Sequence, residues 1–183
     1  MRIVGGAKKG RRLVAFKCTS IRPTSDRVRE AVFNVLGQDM TSRRVLDLFA
    51  GTGAMGIEAL SRGAAAAVFV DRDARAVEVI KRNIEICGLK DRARVVRRDA
   101  KAACRMLGEE KERFDIVFID APYREPDLAV EVLKRLADTG LVTAGGTAVL
   151  EVSKSFALED TVGFEVLKEK RYGDTLVYFL KAR

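Results

Sequence analysis

The glycine-rich segment Gly51-Thr52-Gly53-Ala54-Met55-Gly56 reads G-x-G-x-x-G and lies between a predicted strand and a predicted helix. Glycines with this spacing allow a tight turn, let a ligand approach the backbone and leave the helix N-terminus facing that ligand. Asp71 follows Gly53 by eighteen residues and ends the next predicted strand, where a carboxylate can bind a ribose diol. The segment therefore predicts a site for a nucleotide-containing ligand.

Asp47, four residues before Gly51, separates two classes of such ligands. A carboxylate beside the turn would repel the pyrophosphate of a dinucleotide, but it would attract the ammonium and sulfonium groups of S-adenosyl-L-methionine. Asp99 follows the third predicted strand, where it can accept a hydrogen bond from an adenine amine, cap the next helix, or do both. We therefore predict S-adenosyl-L-methionine as cofactor and S-adenosyl-L-homocysteine as product, with an NAD-dependent oxidoreductase as the disfavoured alternative. The predicted cofactor-binding residues are Asp47, Phe49, Ala50, Gly51, Thr52, Gly53, Asp71, Arg72, Asp99 and Ala100.

The tetrapeptide Asp120-Ala121-Pro122-Tyr123 follows an apolar predicted strand. An exocyclic amine of a nucleobase is a poor nucleophile, because its lone pair is delocalised into the ring. The Asp120 carboxylate and the Ala121 carbonyl can accept hydrogen bonds from such an amine and favour a pyramidal nitrogen, while Tyr123 can stack on the base. The predicted catalytic residues are Asp120, Ala121, Pro122 and Tyr123. The alternative interpretation is a plain turn between a strand and a helix.

The composition restricts the chemistry further. The 183 residues include no histidine and three well-separated cysteines, Cys18, Cys87 and Cys104. These counts argue against a histidine general base, a disulfide framework and a zinc site, so no metal is predicted. Because no apolar run is long enough to cross a membrane and the first residues do not resemble a signal peptide, we predict a cytoplasmic protein with no membrane partner.

Residues 1–44 contain eleven basic and three acidic residues, and this segment accounts for the whole net charge of +8. A basic arm on a neutral body indicates a polyanionic partner, and a merely solubilising arm is the alternative. Small residues in the run from Gly5 to Arg12 would let the backbone lie close to phosphate, and the flanking apolar stretches permit a hairpin. The predicted polyanion-binding residues are Lys8, Lys9, Arg11, Arg12, Arg22, Thr24, Arg27 and Arg29.

These candidate residues can form one site only if the fold brings the ends of several strands to the same edge of a sheet. Hydrophobic periodicity and capping residues predict strands at 45–49, 67–71, 93–97, 115–119 and 147–152, which alternate with helices at 55–62, 74–87, 100–107 and 127–137. A further helix, with Thr24 or Ser25 as its N-cap, is predicted before Gly37. Two β-rich runs, 164–171 and 175–181, predict a terminal hairpin. The fold class is therefore α/β, a single-domain doubly wound Rossmann-like sheet of the class I methyltransferase type, mostly parallel with a C-terminal antiparallel hairpin. Residues 1–44 form its basic N-terminal arm and helix, and residues 45–183 its catalytic core.

Four segments together resemble the RsmD family: residues 47–53, 57–64, 120–123 and the block from Arg22-Pro23-Thr24 to Asn34. The resemblance implies methyl transfer from S-adenosyl-L-methionine to the N2 amine of a guanine in bacterial 16S rRNA. It also implies that RNA is the polyanion, within the small ribosomal subunit or an assembly intermediate.

One position departs from the family's usual Asp-Pro-Pro-Tyr, because Ala121 stands in place of the first proline. Pro122 still biases Ala121 towards extended backbone angles, so the Ala121 carbonyl is expected to keep its direction. Three alternatives remain open at this point: methylation of adenine N6 in DNA, methylation of another base amine in RNA, and a non-catalytic RNA-binding module.

Overall fold

The computed structural model describes residues 1–15, 26–158, 161 and 163–183. Cys18, the predicted N-cap at Thr24 or Ser25 and the predicted polyanion contacts Arg22 and Thr24 lie outside these residues.

Within these described residues, five α-helices and seven strands alternate along most of the chain. The helices are α1 Asp26–Leu36, α2 Ala54–Ser61, α3 Ala74–Cys87, α4 Ala100–Glu109 and α5 Pro126–Thr139. The strands are β1 Arg44–Leu48, β2 Ala66–Asp71, β3 Ala93–Arg97, β4 Phe114–Asp120, β5 Val142–Ser153, β6 Phe164–Tyr172 and β7 Thr175–Ala182. They form a mostly parallel sheet that ends in an antiparallel hairpin, which confirms the predicted fold class.

The chain divides into two compact units, and the first comprises residues 1–97. Its strands lie in the order β3-β2-β1 and are all parallel. Helix α2 is buried along nearly its whole length, and a Cβ atom at Gly56 would lie 2.3 Å from Cε1 of Phe69 in β2. Glycine at position 56 therefore lets α2 pack directly against the sheet.

The second unit comprises residues 98–183. Its strands lie in the order β4-β5-β7-β6, with β4 and β5 parallel, and with β7 antiparallel to both β5 and β6. In β4, residues 116–119 are buried on both faces, as expected for a strand covered on each side of a sheet. The predicted boundary between arm and core at residue 44 stays a prediction.

Most predicted elements are confirmed, and their ends differ from the structure by at most two residues. The predicted cap Asp73 accepts a hydrogen bond from the amide of Arg75, and Gly88 and Gly140 follow the helices they were predicted to end. Strand β5 is the exception, because it begins at Val142 rather than at residue 147. Val142 pairs with Phe114 and Thr147 pairs with Ile116, so the residues between them bulge out of the ladder.

The predicted N-terminal hairpin is only partly formed. Arg2 and Arg12 make a single antiparallel bridge, and a 3-10 helix, Gly6–Lys8, occupies the loop. Among the residues that the structure describes, no helix combines the length and apolar character needed to cross a membrane.

Candidate cofactor and acceptor sites

The segment between β1 and α2, residues 49–53, forms what we call the cofactor turn. Phe49, Gly51 and Gly53 have φ values of +62°, +55° and +77°. This left-handed region suits glycine but disfavours a residue with a Cβ by about 1–2 kcal/mol, so Phe49 is strained. The amide of Ala50 donates to the carbonyl of Val70 (2.9 Å), which ties the strained turn to β2. Backbone strain of this kind is concentrated at ligand sites.

Two predicted cofactor ligands, Asp47 and Asp71, also shape this turn. Asp47 is buried, and its Oδ2 accepts a hydrogen bond from the amide of Gly56 in the first turn of α2 (2.9 Å). Asp71 is half-buried, and its Oδ2 accepts from the amide of Gly51 (2.9 Å) while its Oδ1 accepts from the amide of Asp73 (2.9 Å). Asp71 therefore holds the backbone of the turn, Asp47 holds the first turn of α2 next to it, and both place negative charge beside the turn.

Asn83 on α3 is a further residue of the cofactor turn, and the sequence analysis missed it. Its fully buried side chain donates to the carbonyls of Thr52 (2.9 Å) and Val14 (3.0 Å) and accepts from the amide of Val14 (2.8 Å). The available signal was an amide among the apolar residues on the inward face of α3. Asn83 joins the N-terminal arm to the cofactor turn, so the arm is not a free tail.

The arm is also fixed by a buried charge network around Glu58 of α2. Glu58 accepts hydrogen bonds from the amide of Val4 (2.9 Å), from Nε of Arg29 (3.3 Å) and from Nε of Arg62 (2.9 Å). Arg29 also pairs with Asp26 (2.9 Å). Because the Arg29 side chain is fully buried and engaged by two carboxylates, the predicted contact of Arg29 with a polyanion does not fit this structure.

The small residues of the arm have a different role from the expected one. The carbonyl of Gly5 accepts from Oγ of Ser61 (2.6 Å), and a Cβ atom at Gly6 would lie 2.0 Å from the Ser61 carbonyl oxygen. Close packing on the end of α2 therefore explains these glycines, rather than an approach to phosphate. The basic side chains around them face outward: Lys8 is half-buried, and Lys9, Arg11, Arg12 and Arg27 are exposed.

Residues 120–123 form the acceptor turn at the end of β4. Asp120 is half-buried, Ala121 is buried, and Pro122 and Tyr123 are exposed. The Tyr123 hydroxyl lies 2.9 Å from Oγ1 of Thr175 in β7 and donates to Oε1 of Glu151 in β5 (3.2 Å). These bonds fix the ring of Tyr123 although 39% of the residue remains accessible to solvent.

Partial burial raises the pKa of Tyr123 to about 12. The hydrogen bond with Thr175 lowers the pKa, whereas the negative charges of Glu151 and Asp120 raise it. Tyr123 therefore stays protonated at neutral pH and can donate its hydroxyl hydrogen. Glu151 and Thr175 were not predicted, although Glu151 pairs in register with Asp120 at the ends of two parallel strands.

The remaining predicted cofactor ligands lie at the start of α4 and after β2. Oδ1 of Asp99 accepts from the amides of Lys101 (2.9 Å) and Ala102 (3.4 Å), which confirms the helix-capping alternative. The contact of Asp99 with adenine stays a prediction, as does the role of Ala100, which is buried in the first turn of α4. Arg72, directly after Asp71, is exposed.

Comparison with known proteins places the chain in a family. The family model described as "Conserved hypothetical protein 95" matches residues 1–181. A Bacillus subtilis protein described as a candidate rRNA methyltransferase, YlbH, is 40% identical over the full length of both chains. "Ribosomal RNA small subunit methyltransferase D" of Escherichia coli is 38% identical over 76% of this chain and 68% of its own.

A solved structure agrees with this match. It is that of a candidate methyltransferase, yhhF, from Escherichia coli, which superposes with a TM-score of 0.87 at 32% identity and covers 100% of this chain and 98% of its own. The motifs, the fold and the full-length relatives all indicate the same family. The chain belongs to the conserved hypothetical protein 95 family, which is the RsmD family that its motifs resemble.

Proposed function

We propose that this protein transfers a methyl group from S-adenosyl-L-methionine to the exocyclic N2 amine of a guanine in 16S rRNA. The observation that carries the proposal is the acceptor turn, where Asp120 ends a buried strand and an accessible Tyr123 is held by its hydroxyl. Relatives named as small-subunit rRNA methyltransferases support the choice of RNA.

The cofactor turn fits the proposed cofactor. Left-handed residues at Gly51 and Gly53 bring the backbone to the start of α2, and the carboxylates of Asp47 and Asp71 supply the negative charge that a sulfonium and an ammonium require. When bound, the cofactor supplies a methyl group on a positively charged sulfur. Asp71 binds the ribose diol, and the second oxygen of Asp99 accepts from the adenine amine.

The acceptor turn holds the base. The Asp120 carboxylate and the Ala121 carbonyl accept hydrogen bonds from the amine, which makes its lone pair available, and Tyr123 stacks on the ring. Because the Tyr123 hydroxyl already contacts Thr175, the orientation of the Tyr123 ring is set before the base arrives.

Basic residues of the arm and α1 bind the RNA backbone. They are the half-buried Lys8 and the exposed Lys9, Arg11, Arg12 and Arg27, whereas Arg29 is excluded by its burial. Arg22 and Thr24, which lie outside the described residues, stay in the set on the sequence prediction alone. We place this reaction in the cytoplasm, on the small ribosomal subunit or one of its assembly intermediates.

Tritiated methyl transfer tests the proposal. The protein is incubated with labelled S-adenosyl-L-methionine and with 16S rRNA or small subunits from methylase-deficient cells, and the labelled nucleoside is mapped. We expect N2-methylguanosine in 16S rRNA and no label in duplex DNA. Label in DNA as N6-methyladenine would overturn the proposal, as would calorimetry in which NAD binds more tightly than S-adenosyl-L-homocysteine.

A further inference from the structure

Two carboxylates lie side by side where β4 and β5 end. Asp120 and Glu151 are paired in the parallel ladder, so their side chains leave the same face of the sheet about 5 Å apart. Both charges act on the Tyr123 hydroxyl, which donates to Glu151 at 3.2 Å. The acceptor turn therefore presents two adjacent acceptor groups and one aromatic ring.

This pair of acceptors suits one nucleobase edge. Guanine presents two neighbouring donors on its Watson–Crick edge, N1–H and the N2 amine, whereas the same edge of adenine pairs an amine donor with the N1 acceptor. A carboxylate accepts but cannot donate when ionised. Two carboxylates therefore match guanine and repel the N1 lone pair of adenine.

We propose that Glu151 is a specificity-determining residue for guanine: its carboxylate accepts the N1–H of the target base while Asp120 accepts from the N2 amine. This inference rests on the proposed function. An ionised carboxylate offers about four lone-pair sites, so the bond from Tyr123 is compatible with a second bond from the base. Thr175, which is buried, contacts the same Tyr123 hydroxyl from β7.

The test compares two bases that both carry an N2 amine. After the modified nucleotide is mapped, 16S rRNA is prepared with guanine or 2-aminopurine at that position, and kcat/KM is measured for each. In 2-aminopurine N1 has no hydrogen and acts as an acceptor. The wild-type protein should prefer guanine by roughly tenfold to a hundredfold, the range expected when a carboxylate loses a hydrogen-bond donor.

Glu151→Gln should reduce this preference at least fivefold, because the Gln amide can donate to N1 of 2-aminopurine. Thr175→Val is the matched control, since it removes the bond to Tyr123 but keeps the Glu151 carboxylate; it should slow both substrates equally. A role of Glu151 in packing alone would also slow both equally.

Either of two results overturns the inference: a wild-type protein that does not distinguish the two bases, or an unchanged preference in folded Glu151→Gln. The wild-type comparison needs no variant and so can overturn the inference even if Glu151→Gln does not fold. A wild-type protein that leaves the guanine substrate unmethylated contradicts the proposed function itself, and that outcome is distinct from methylation without preference.

Discussion

The cofactor turn and the acceptor turn both follow a buried parallel strand, but they are held in different ways. In the cofactor turn, carboxylates bind backbone amides, and α2 begins directly after Gly53. In the acceptor turn, one exposed side chain is anchored at its tip, and α5 begins only at Pro126. The first arrangement fixes the backbone of a short segment through several hydrogen bonds, whereas the second keeps a fixed aromatic ring accessible to solvent.

This difference suggests that the cofactor turn provides a fixed geometry for the cofactor, whereas the acceptor turn provides access for the base. Changes around the cofactor turn should alter stability and cofactor affinity, whereas changes in the acceptor turn should alter the rate alone. The following substitutions test this division.

The largest effect is expected at Glu58, which anchors the arm beside the cofactor turn. Glu58→Ala leaves Arg29 and Arg62 buried without their shared carboxylate, so the free energy of unfolding should fall by about 3–5 kcal/mol. Urea denaturation, monitored by circular dichroism, measures this loss of unfolding free energy. The control, Arg75→Ala, removes the exposed pair with Asp73 and should leave the curve unchanged. A loss below about 1 kcal/mol in Glu58→Ala would show that the network does not hold the arm.

The next largest effect concerns the rate. Asp120→Ala should slow single-turnover methylation by about a hundredfold or more while the affinity for S-adenosyl-L-homocysteine stays within a few fold, because Asp120 acts on the amine in the transition state. Asp127→Ala, which removes an exposed carboxylate at the start of α5, should keep the wild-type rate. Full activity in Asp120→Ala would remove this residue from the acceptor site.

An intermediate effect is expected at Asp71. Asp71→Ala removes the acceptor for the Gly51 amide and for the ribose, so calorimetry should show binding of S-adenosyl-L-homocysteine weakened by about 1–3 kcal/mol. The matched control is Asp73→Ala, two residues away, which removes the cap of α3 but no proposed cofactor ligand. Equal losses in the two variants would assign Asp71 to the backbone alone.

A smaller effect is expected in the arm, where charge can be changed without removing packed residues. Replacing Lys9, Arg11 and Arg12 with Gln should reduce the slope of log K for RNA against log salt by about 2, since each lost phosphate contact contributes about 0.7–0.9. The control replaces three exposed residues of the second unit, Lys111, Arg113 and Lys134. The same slope in both triple variants would make the arm a solubilising segment only.

The smallest effect is expected for Ala121→Pro. Ala121 acts through its carbonyl, and the family usually has proline at this position, so the methylation rate should stay within a few fold of the wild type. Ala121→Trp, in contrast, places a large ring at a buried position and should block the base. Inactive Ala121→Pro in a folded protein would show that this turn differs from the turn in other family members.

The elements of the fold could be predicted from the sequence because their signals are local. Each signal depends on residues that are close in the sequence. Examples are the apolar strands, the Asp73 cap and the glycines that follow α3 and α5. The start of β5 could not be predicted, because Gly145 and Gly146 indicate a turn while the structure keeps Val142 in the ladder through a bulge. That pairing depends on Phe114, which lies far away in the sequence.

The motif residues of the two turns could also be predicted, but their partners could not. Asn83 bonds to Thr52 and Val14, and Glu151 bonds to Tyr123, across 28 to 69 positions of sequence. Partners that are distant in the sequence also explain the wrong prediction for Arg29. From the sequence alone an arginine on a helix is expected to be exposed, and its partner Glu58 lies 29 residues away.

Strand β6 lies at the end of the strand order, and its residues 165–171 are all exposed. Its ladder with β7 shifts register between Val166 and Lys168, so the strand bulges at Leu167. A second molecule that paired along this edge would meet the charged side chains of Glu165, Lys168, Glu169, Lys170 and Arg171, and the bulge would interrupt the new ladder. The edge that leaves Val166 and Leu167 in solvent is thereby protected against pairing with a second molecule.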